Sequence, residues 1–496
     1  MGGETAVTSA SNEEFAAIVL AAGKSTRMRS KLPKALHPVC GKPILAHILD
    51  ALAHAGVGRR VVIVGHQAET VKGSLDTRYG PETLLYAEQV VQKGTGHAAQ
   101  MAETLLADHK GVVLVLPGDA PLLTSDSLRH LIETHIAQSA GATLLTAVLP
   151  HDAGSYGRVL RDADGMVEGI VEARDATDEQ LAIREINTSV YAFSGPSLFR
   201  ALRDLRPNNT QGELYLTDVI KLLREAGETV AACVAGDPDI VLGVNTRVEL
   251  AEINAKMRAR LLQNLMLSGV TIADPTTTYV ETDVTVGQDT IILPNTHLIG
   301  ATHIGEDCVI GPNAIVTNST IGDRVLFRAS AADTAVIGDD SKIGPFAHLR
   351  PGTKLGKAVR IGNFVETKAA LLEDGVSASH LTYLGDATVG AKTNIGAGTI
   401  TCNYDGFLKS RTEIGSNTFI GTNSTLVAPI TVGNDAFTAA GSVITENVPD
   451  GAFAIARERQ TVKEGWVSAR RERQQQARTA SQISAQAEKV EGSGRP

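Results

Sequence analysis

Apolar positions along this chain follow two different periods. Up to about residue 245, short apolar runs alternate with helical patterns. "FAAIVL" (15–20), "RRVVIVG" (59–65) and "GVVLVLPGD" (111–119) read as buried strands. "KPILAHILDALAHAG" (42–56) has helical spacing, with Pro43 near its start and Gly56 just past its end. Strands separated by helices predict a mostly parallel, Rossmann-like α/β sheet covered on both faces. Such sheets take ligands beyond the carboxyl ends of their strands. "TRVELAEINAKMRARLLQNLMLSG" (246–269) predicts one amphipathic helix that joins two domains. Thr246 and Glu249 form a capping box, Ile253, Met257, Leu261 and Leu265 share a face, and Gly269 stops it.

After Val270 the period becomes six. Val286, Ile292, Leu298, Ile304, Ile310 and Val316 keep that step, as do Ile337, Ile343, Leu349, Leu355 and Ile361, and again Ile414, Ile420, Leu426 and Val432. Neither a helix nor a hairpin sheet has this period. A parallel β-helix does, with one hexapeptide per face and three faces per coil. The aliphatic residue points inward, and the glycine that often follows it, such as Gly287 or Gly305, is expected to form the corner. The register breaks near 317–336, 362–388 and 396–413, where protruding loops are expected. The domains expected are a disordered N-terminus (1–13), an α/β domain (14–245), a linker helix (246–269), the β-helix (270–466) and a frayed helix or disordered tail (467–496).

Composition narrows the function classes. The chain of 496 residues has a net charge of −9, which argues against a nucleic-acid partner. Its four cysteines, Cys40, Cys233, Cys308 and Cys402, lie far apart and fit a reduced compartment. No run of 18 apolar residues and no basic-then-apolar leader pattern occur in the sequence, so a cytoplasmic protein without a membrane span is expected. Against this acidic background "LAAGKSTRMRSKLPKALH" (20–37) carries five cations and no carboxylate. A small-residue loop after a strand, followed by Lys24, Arg27 and Lys34, suits a polyanion: backbone amides approach phosphate oxygens and the cations neutralise them. Arg29 and Lys31 read as a solvated face. No GxxxxGK[ST] motif is present. His297, His303 and His348 each precede an inward residue, so they read as outward surface groups rather than a zinc site.

"LAAGKSTRM" with "LPKALH" resembles the signature of sugar-nucleotide pyrophosphorylases. "AEQVVQKGTGHA", "LPGDAPL", "SYGRV", "IVEARDAT", "EINTSVY", "QGELYLTD" and "VLGVNTR" follow in that family's order. The second half adds "HLRPGT", "IGNFVETK", "SHLTYLGDA", "NIGAGTITCNYDG" and "KEGW". Together, over roughly residues 14 to 466, they resemble the bifunctional N-acetylglucosamine-1-phosphate uridyltransferase/glucosamine-1-phosphate N-acetyltransferases. For the first domain the resemblance implies transfer of the uridylyl group of UTP to N-acetylglucosamine-1-phosphate. Leu20, Ala21, Ala22 and Gly23 would form the cradle. Arg27 and Lys34 would hold the pyrophosphate and the reacting phosphate. Gln89, Gly94 and Thr95 would read uracil, Pro117 and Gly118 would line the nucleotide site, and Gly157, Glu172 and Asn187 would contact the sugar. Asp119 and Asn245 would hold Mg²⁺, a pair of hard oxygen ligands that suits this ion. Ser25 and Pro117 depart from the family pattern, which has glycine and an aromatic there.

For the second domain the resemblance implies acetyl transfer from acetyl-CoA to glucosamine-1-phosphate. His380 would be the general base, because an imidazole exchanges protons near neutrality, and Glu366 would orient it. Arg350, Lys368, Tyr383 and Asn394 would bind the sugar phosphate, with help from Lys409. Asn403 and Tyr404 would sit beside the amine and thioester. Ala397, Thr422, Ala440 and Arg457 would line the coenzyme site, Thr422 standing where the family has serine. The resemblance also implies a homotrimer. One competing reading is a single-activity pyrophosphorylase with a purely structural β-helix, which would have no need of His380, Glu366 or "NYDG". Another is a non-catalytic sugar-nucleotide sensor, which would lack the pair Asp119 and Asn245.

Overall fold

The computed structural model describes residues 14–24, 26–150, 153–207, 209 and 211–492. The expectations for residues 1–13 and for Ser25 lie outside the described residues. The chain divides into two compact units, Met1–Ala358 and Val359–Pro496.

In the first unit, strands β1 (Phe15–Leu20), β2 (Arg59–Val64), β3 (Leu85–Glu88), β4 (Val112–Pro117), β5 (Ala142–Val148), β6 (Glu185–Ser194) and β7 (Val230–Val234) lie in the order β7-β5-β6-β4-β1-β2-β3. β1 runs parallel to β2 and β4, and β7 to β5, whereas β6 is antiparallel to both its neighbours. The sheet is therefore mixed, with one reversed strand in a mostly parallel frame. Alternate residues of β1 enter opposite cores. Ala17 and Val19 pack with Ile44 and Ile48, while Ala16 and Ile18 pack with Ala98 and Ala99. A strand buried on both faces must be apolar throughout, which is why "FAAIVL" shows no alternation. The helix Ile44–His54 ends where Gly56 takes φ +86°, a conformation that costs glycine little.

The helix Arg247–Leu267 carries the capping box, with Thr246 and Glu249 bonding each other's backbone. It buries Ile253 and Met257 of the expected face, but Leu261 and Leu265 are only half-buried, and Leu262, well round the helix from Ile253, is buried instead. It also meets the first coil, where the Arg258 guanidinium lies 4.3 Å from the Tyr279 ring centroid.

In the same unit Ile292 pairs with Ile310 and Leu298 with Val316, a full 18-residue coil. The inward residues from Ile292 to Val316 are buried as expected, while Val286 at the start of the series is only half-buried. Their outward neighbours include His297, stacked on Tyr279, and His303, bonded to Thr285. Two expectations need correction. The breaks at 317–336 and 362–388 are shortened coils, not protruding loops: Val316 pairs with Ala332, and in the second unit Leu372 pairs with Val389. Only the 396–413 break is an insertion. There Ile395 pairs with Ile420 across 25 residues. The extra residues project, closed by a Tyr404–Lys409 bridge and by Asp405 accepting from the amides of Phe407 and Leu408. Nor do most post-aliphatic glycines make corners. Asp289, Asn295, Asp307 and Asn313 take the left-handed conformation there, a conformation Asn and Asp tolerate. Gly287 is needed for close approach: a Cβ would lie 2.6 Å from the backbone of Gly305 on the next coil.

Trp466–Gly492 forms a helix, and as far as Ala487 almost every residue is exposed. Its Ala, Arg and Gln content favours helix although nothing apolar covers it. No helix among the described residues is long and apolar enough to cross a membrane.

Candidate active sites

The first cluster forms where β1 and β4 end side by side. Gly118 donates its amide to the Leu20 carbonyl and Ala21 donates to Ile63, both at 2.9 Å. A Cβ at Gly118 would sit 2.9 Å from the Leu20 oxygen, so glycine is required for the two loops to leave together. Pro117 is the last residue of β4 and pairs with Leu20. Gln92 ties down the start of the cationic loop by donating to the Ala22 carbonyl at 2.6 Å.

Lys34, Asp119 and Asn245 converge, although 211 residues separate the first from the last. The Lys34 ammonium donates to Asp119 Oδ2 at 2.6 Å and to Asn245 Oδ1 at 3.1 Å. Arg27 donates to the same Asn245 oxygen at 2.9 Å. Two hard oxygens thus already face one cationic group, and this donor set fits a divalent ion whose remaining ligands are phosphate and water. Tyr156 adjoins the cluster. Burial first, then the carboxylates of Asp119 and Glu249, push its hydroxyl pKa up.

Beyond Tyr156, Gly157, Glu172 and Asn187 lie next to one another. Asn187 donates its amide to the Gly157 carbonyl at 2.9 Å, and a Cβ at Gly157 would lie 3.5 Å from Glu172 Oε2. Glu172 accepts from Thr217 at 3.3 Å, and burial raises its carboxyl pKa. It opens on a groove of about 580 Å³ that also meets Asp175, Asn209, Tyr215 and Asp218. The Asn187 side chain turns inward and donates to the Tyr191 hydroxyl at 2.7 Å. Gln89 likewise commits its amide nitrogen, to the Gly94 carbonyl at 3.1 Å and to His97 at 3.0 Å. Thr95 accepts from the Leu216 amide at 3.1 Å. Gln89 and Thr95 thus brace the loop with their own side chains. Gly94 has φ +102°, and a Cβ would meet the Leu214 carbonyl at 2.5 Å. Gly94→Ala should therefore cost about 1–3 kcal/mol locally and raise the KM for nucleotide more than it lowers kcat, measurable by steady-state kinetics with the nucleotide varied.

In the second unit His380 ends the strand Ser377–His380 with its ring exposed. Its carbonyl accepts from Thr382 Oγ1 at 2.7 Å and from the Gly398 amide at 3.3 Å. Leu381, Gly398, Asn423 and Gly441 all adopt left-handed backbone, with φ +49°, +73°, +58° and +74°. Gly398, Asn423 and Gly441 each donate an amide to the residue that precedes the previous corner. The residues before these corners are His380, Ala397, Thr422 and Ala440. They therefore form one column along one edge of the prism, and Arg457 reaches Gly441 at its end. The sequence hid this column because the loop insertion breaks its spacing. Glu366 begins the strand Glu366–Lys368, and its side chain is half-buried.

Lys368 and Lys409 approach each other closely enough that a hydrogen-bonding contact with Lys368, and then the charge of Lys368, lower the pKa of Lys409. Asp386 and Tyr383 lie beside them, and Asn403 donates to the Asp386 carboxylate. Two neighbouring ammonium groups form a site that an anion would relieve. Asn394 lies on the strand between Ser377 and Phe419. Tyr404 is exposed on the projecting loop. Arg350 belongs to the first unit, where its carbonyl accepts from Thr353.

Comparisons with known proteins agree with both halves. A MobA-like NTP transferase domain model matches residues 17–225. A bacterial transferase hexapeptide model matches residues 283–318, 334–369 and 411–446. The bifunctional protein GlmU of an Exiguobacterium species is 51% identical over 454 residues, covering 92% of this chain and 99% of that protein. The chain belongs to the bifunctional GlmU family. GlmU of Clostridioides difficile is 47% identical, covering 94% of this chain and all of its own length, and GlmU of Brevibacillus brevis is 49% identical. As a member of the GlmU family the chain is an enzyme with two transferase activities acting on small molecules, including a nucleotide. The single-activity reading with a purely structural β-helix is not favoured.

Proposed function

We propose that the chain makes UDP-N-acetylglucosamine in two steps. Acetyl-CoA first acetylates glucosamine-1-phosphate at the His380 site. UTP then transfers its uridylyl group to the N-acetylglucosamine-1-phosphate formed, releasing pyrophosphate at the Lys34 site.

The reading of the first domain rests on the Lys34–Asp119–Asn245 convergence. Asp119 and Asn245 would hold Mg²⁺, which would neutralise phosphate charge and orient the triphosphate. Lys34 would meet the reacting phosphate and Arg27 the departing pyrophosphate. The sugar phosphate attacks the α-phosphorus, and little covalent work falls to the protein beyond positioning and charge neutralisation. Leu20 to Gly23 and Gly118 provide backbone for the phosphates. Gln89, Gly94 and Thr95 form the base-facing loop, and Gly157, Glu172 and Asn187 bound the sugar.

The reading of the second domain rests on the single column of His380, Ala397, Thr422 and Ala440. A thioester laid along that edge presents its carbonyl to an amine beside the imidazole. His380 takes a proton as the amine nitrogen attacks the thioester carbonyl; the carbon–sulfur bond then breaks, and coenzyme A leaves as its thiol, taking up that proton. Lys368, Lys409, Arg350, Tyr383 and Asn394 would hold the sugar phosphate, Asn403 and Tyr404 would face the amine and thioester, and Arg457 the coenzyme's phosphates. Phe364 and Leu381 leave 59% and 63% of their surface exposed at left-handed corners. This apolar edge supports a homotrimer in which neighbouring copies cover it. The enzyme is placed in the cytoplasm, where its nucleotide and coenzyme substrates reside. The test is a product assay with glucosamine-1-phosphate, acetyl-CoA, UTP and Mg²⁺, leaving out one component at a time. UDP-N-acetylglucosamine formed without acetyl-CoA, or with CTP as readily as with UTP, would overturn the reading.

A further inference from the structure

We infer that Glu249 is a positioning residue for Asn245, holding it so that its side-chain oxygen faces Asp119. This rests on the proposed role of Asp119 and Asn245 as ligands of a divalent ion. Glu249 Oε2 accepts three hydrogen bonds: from the Asn245 amide at 2.7 Å, the Thr246 amide at 2.7 Å and the Thr246 hydroxyl at 3.1 Å. Its own amide donates to Thr246 Oγ1 at 3.2 Å. A capping box needs only the reciprocal bonds between Thr246 and Glu249. The bond to Asn245 lies one residue upstream of the cap and does nothing for the helix. It anchors the backbone of Asn245, whose side chain accepts from both Lys34 and Arg27.

The other end of the same segment is fixed to the facing ligand. Val244 donates its amide to the Asp119 carbonyl at 2.9 Å. A Cβ on Gly243 would lie 3.4 Å from Asp119 Oδ1. Residues 243–246 are therefore clamped between Asp119 and the Glu249 carboxylate, and the distance between the two oxygens that face Lys34 is set at both ends. Groups that orient a metal ligand commonly change affinity by about 10–100-fold when removed. The sequence signalled Glu249 only as a helix cap.

The test measures Mn²⁺ affinity from the free-ion electron paramagnetic resonance signal, with full-length protein saturated with UDP-N-acetylglucosamine. Melting temperature is recorded in parallel. Glu249→Ala should weaken Mn²⁺ about tenfold or more. Glu249→Gln, which keeps a carbonyl oxygen for the Asn245 amide, should recover most of that loss. Thr246→Ala removes the cap but leaves the Asn245 bond, so it should lower the melting temperature without weakening Mn²⁺. Asn245→Ala serves as the reference. If Asn245→Ala weakens Mn²⁺ and Glu249→Ala does not, Glu249 is only a cap and the inference fails while the ion site stands. Equal weakening by Thr246→Ala and Glu249→Ala would also overturn it. If Asn245→Ala itself has no effect, the ion-site reading falls and takes the inference with it.

Discussion

His380→Ala should lower acetyl transfer to glucosamine-1-phosphate by about 10²–10⁴-fold, the usual contribution of a positioned general base. Uridylyl transfer should stay within about twofold, because Lys34, Asp119 and Asn245 lie in the other compact unit. The loss should fall on kcat. The ring has no hydrogen-bond partner among the described residues, and it stands exposed at the end of its strand. Its removal therefore leaves no buried donor or acceptor behind, and the fold should persist. The backbone contacts that set the corner come from the His380 carbonyl, which alanine keeps. Separate assays of each half-reaction, with circular dichroism to verify folding, would measure this. Retained acetyl transfer would move the base elsewhere on the column's edge. Loss of both activities in a folded protein would contradict two independent sites.

The second site shows how far a sequence can carry a solenoid. Ile292, Leu298 and Ile310 declare the six-residue period because each must fill the same small interior, and one coil repeats the next. The column of His380, Ala397, Thr422 and Ala440 is no less regular in space, yet its members are unequally spaced in the chain. One shortened coil and one projecting loop intervene. Register in a solenoid is kept by stacking, and stacking tolerates loops of any length at a corner. The first site was legible for a different reason. "LPKALH", "PGDAP" and "GVNTR" each mark the end or beginning of a regular element, where chain direction is set by local chemistry. What the residues alone did not fix was which groups point inward. Asn187 and Gln89 carry amides suited to a ligand, but buried amides must be satisfied first by the protein. They are satisfied by Tyr191, and by Gly94 and His97. Glu366 was placed beside His380 by the family resemblance, not by anything in the spacing of the residues. The strand Glu366–Lys368 pairs with Tyr383–Gly385, on another face from the strand that ends at His380.

Asp119→Ala should do the reverse of His380→Ala, reducing uridylyl transfer by at least about 10²-fold, on the scale of losing one preorganised electrostatic partner at a reacting phosphate. Two effects combine. The change removes one of the two oxygens proposed to hold Mg²⁺, and it releases Lys34 from its 2.6 Å contact. The side chains of Lys34 and Asp119 are only 18% and 25% exposed, so water does not readily replace the lost partner. Lys34 then keeps only Asn245, at 3.1 Å, and nothing fixes the ammonium opposite the phosphate it must meet. Raising Mg²⁺ to ordinary millimolar concentrations should not restore the rate, because the defect is one of placement as well as affinity. Asp119→Asn separates the two. It keeps an oxygen but not the charge, so it should fall between wild type and Asp119→Ala and respond partly to added Mg²⁺. Acetyl transfer should be unchanged in both variants, which excludes general unfolding. A folded Asp119→Ala enzyme with an unaltered Mg²⁺ titration and full uridylyl transfer would reduce the Lys34–Asp119 pair to a structural contact. The phosphate chemistry would then have to be carried by Lys34, Arg27 and the backbone of the Leu20–Gly23 loop, with Asn245 left as the one proposed side-chain ligand for a divalent ion.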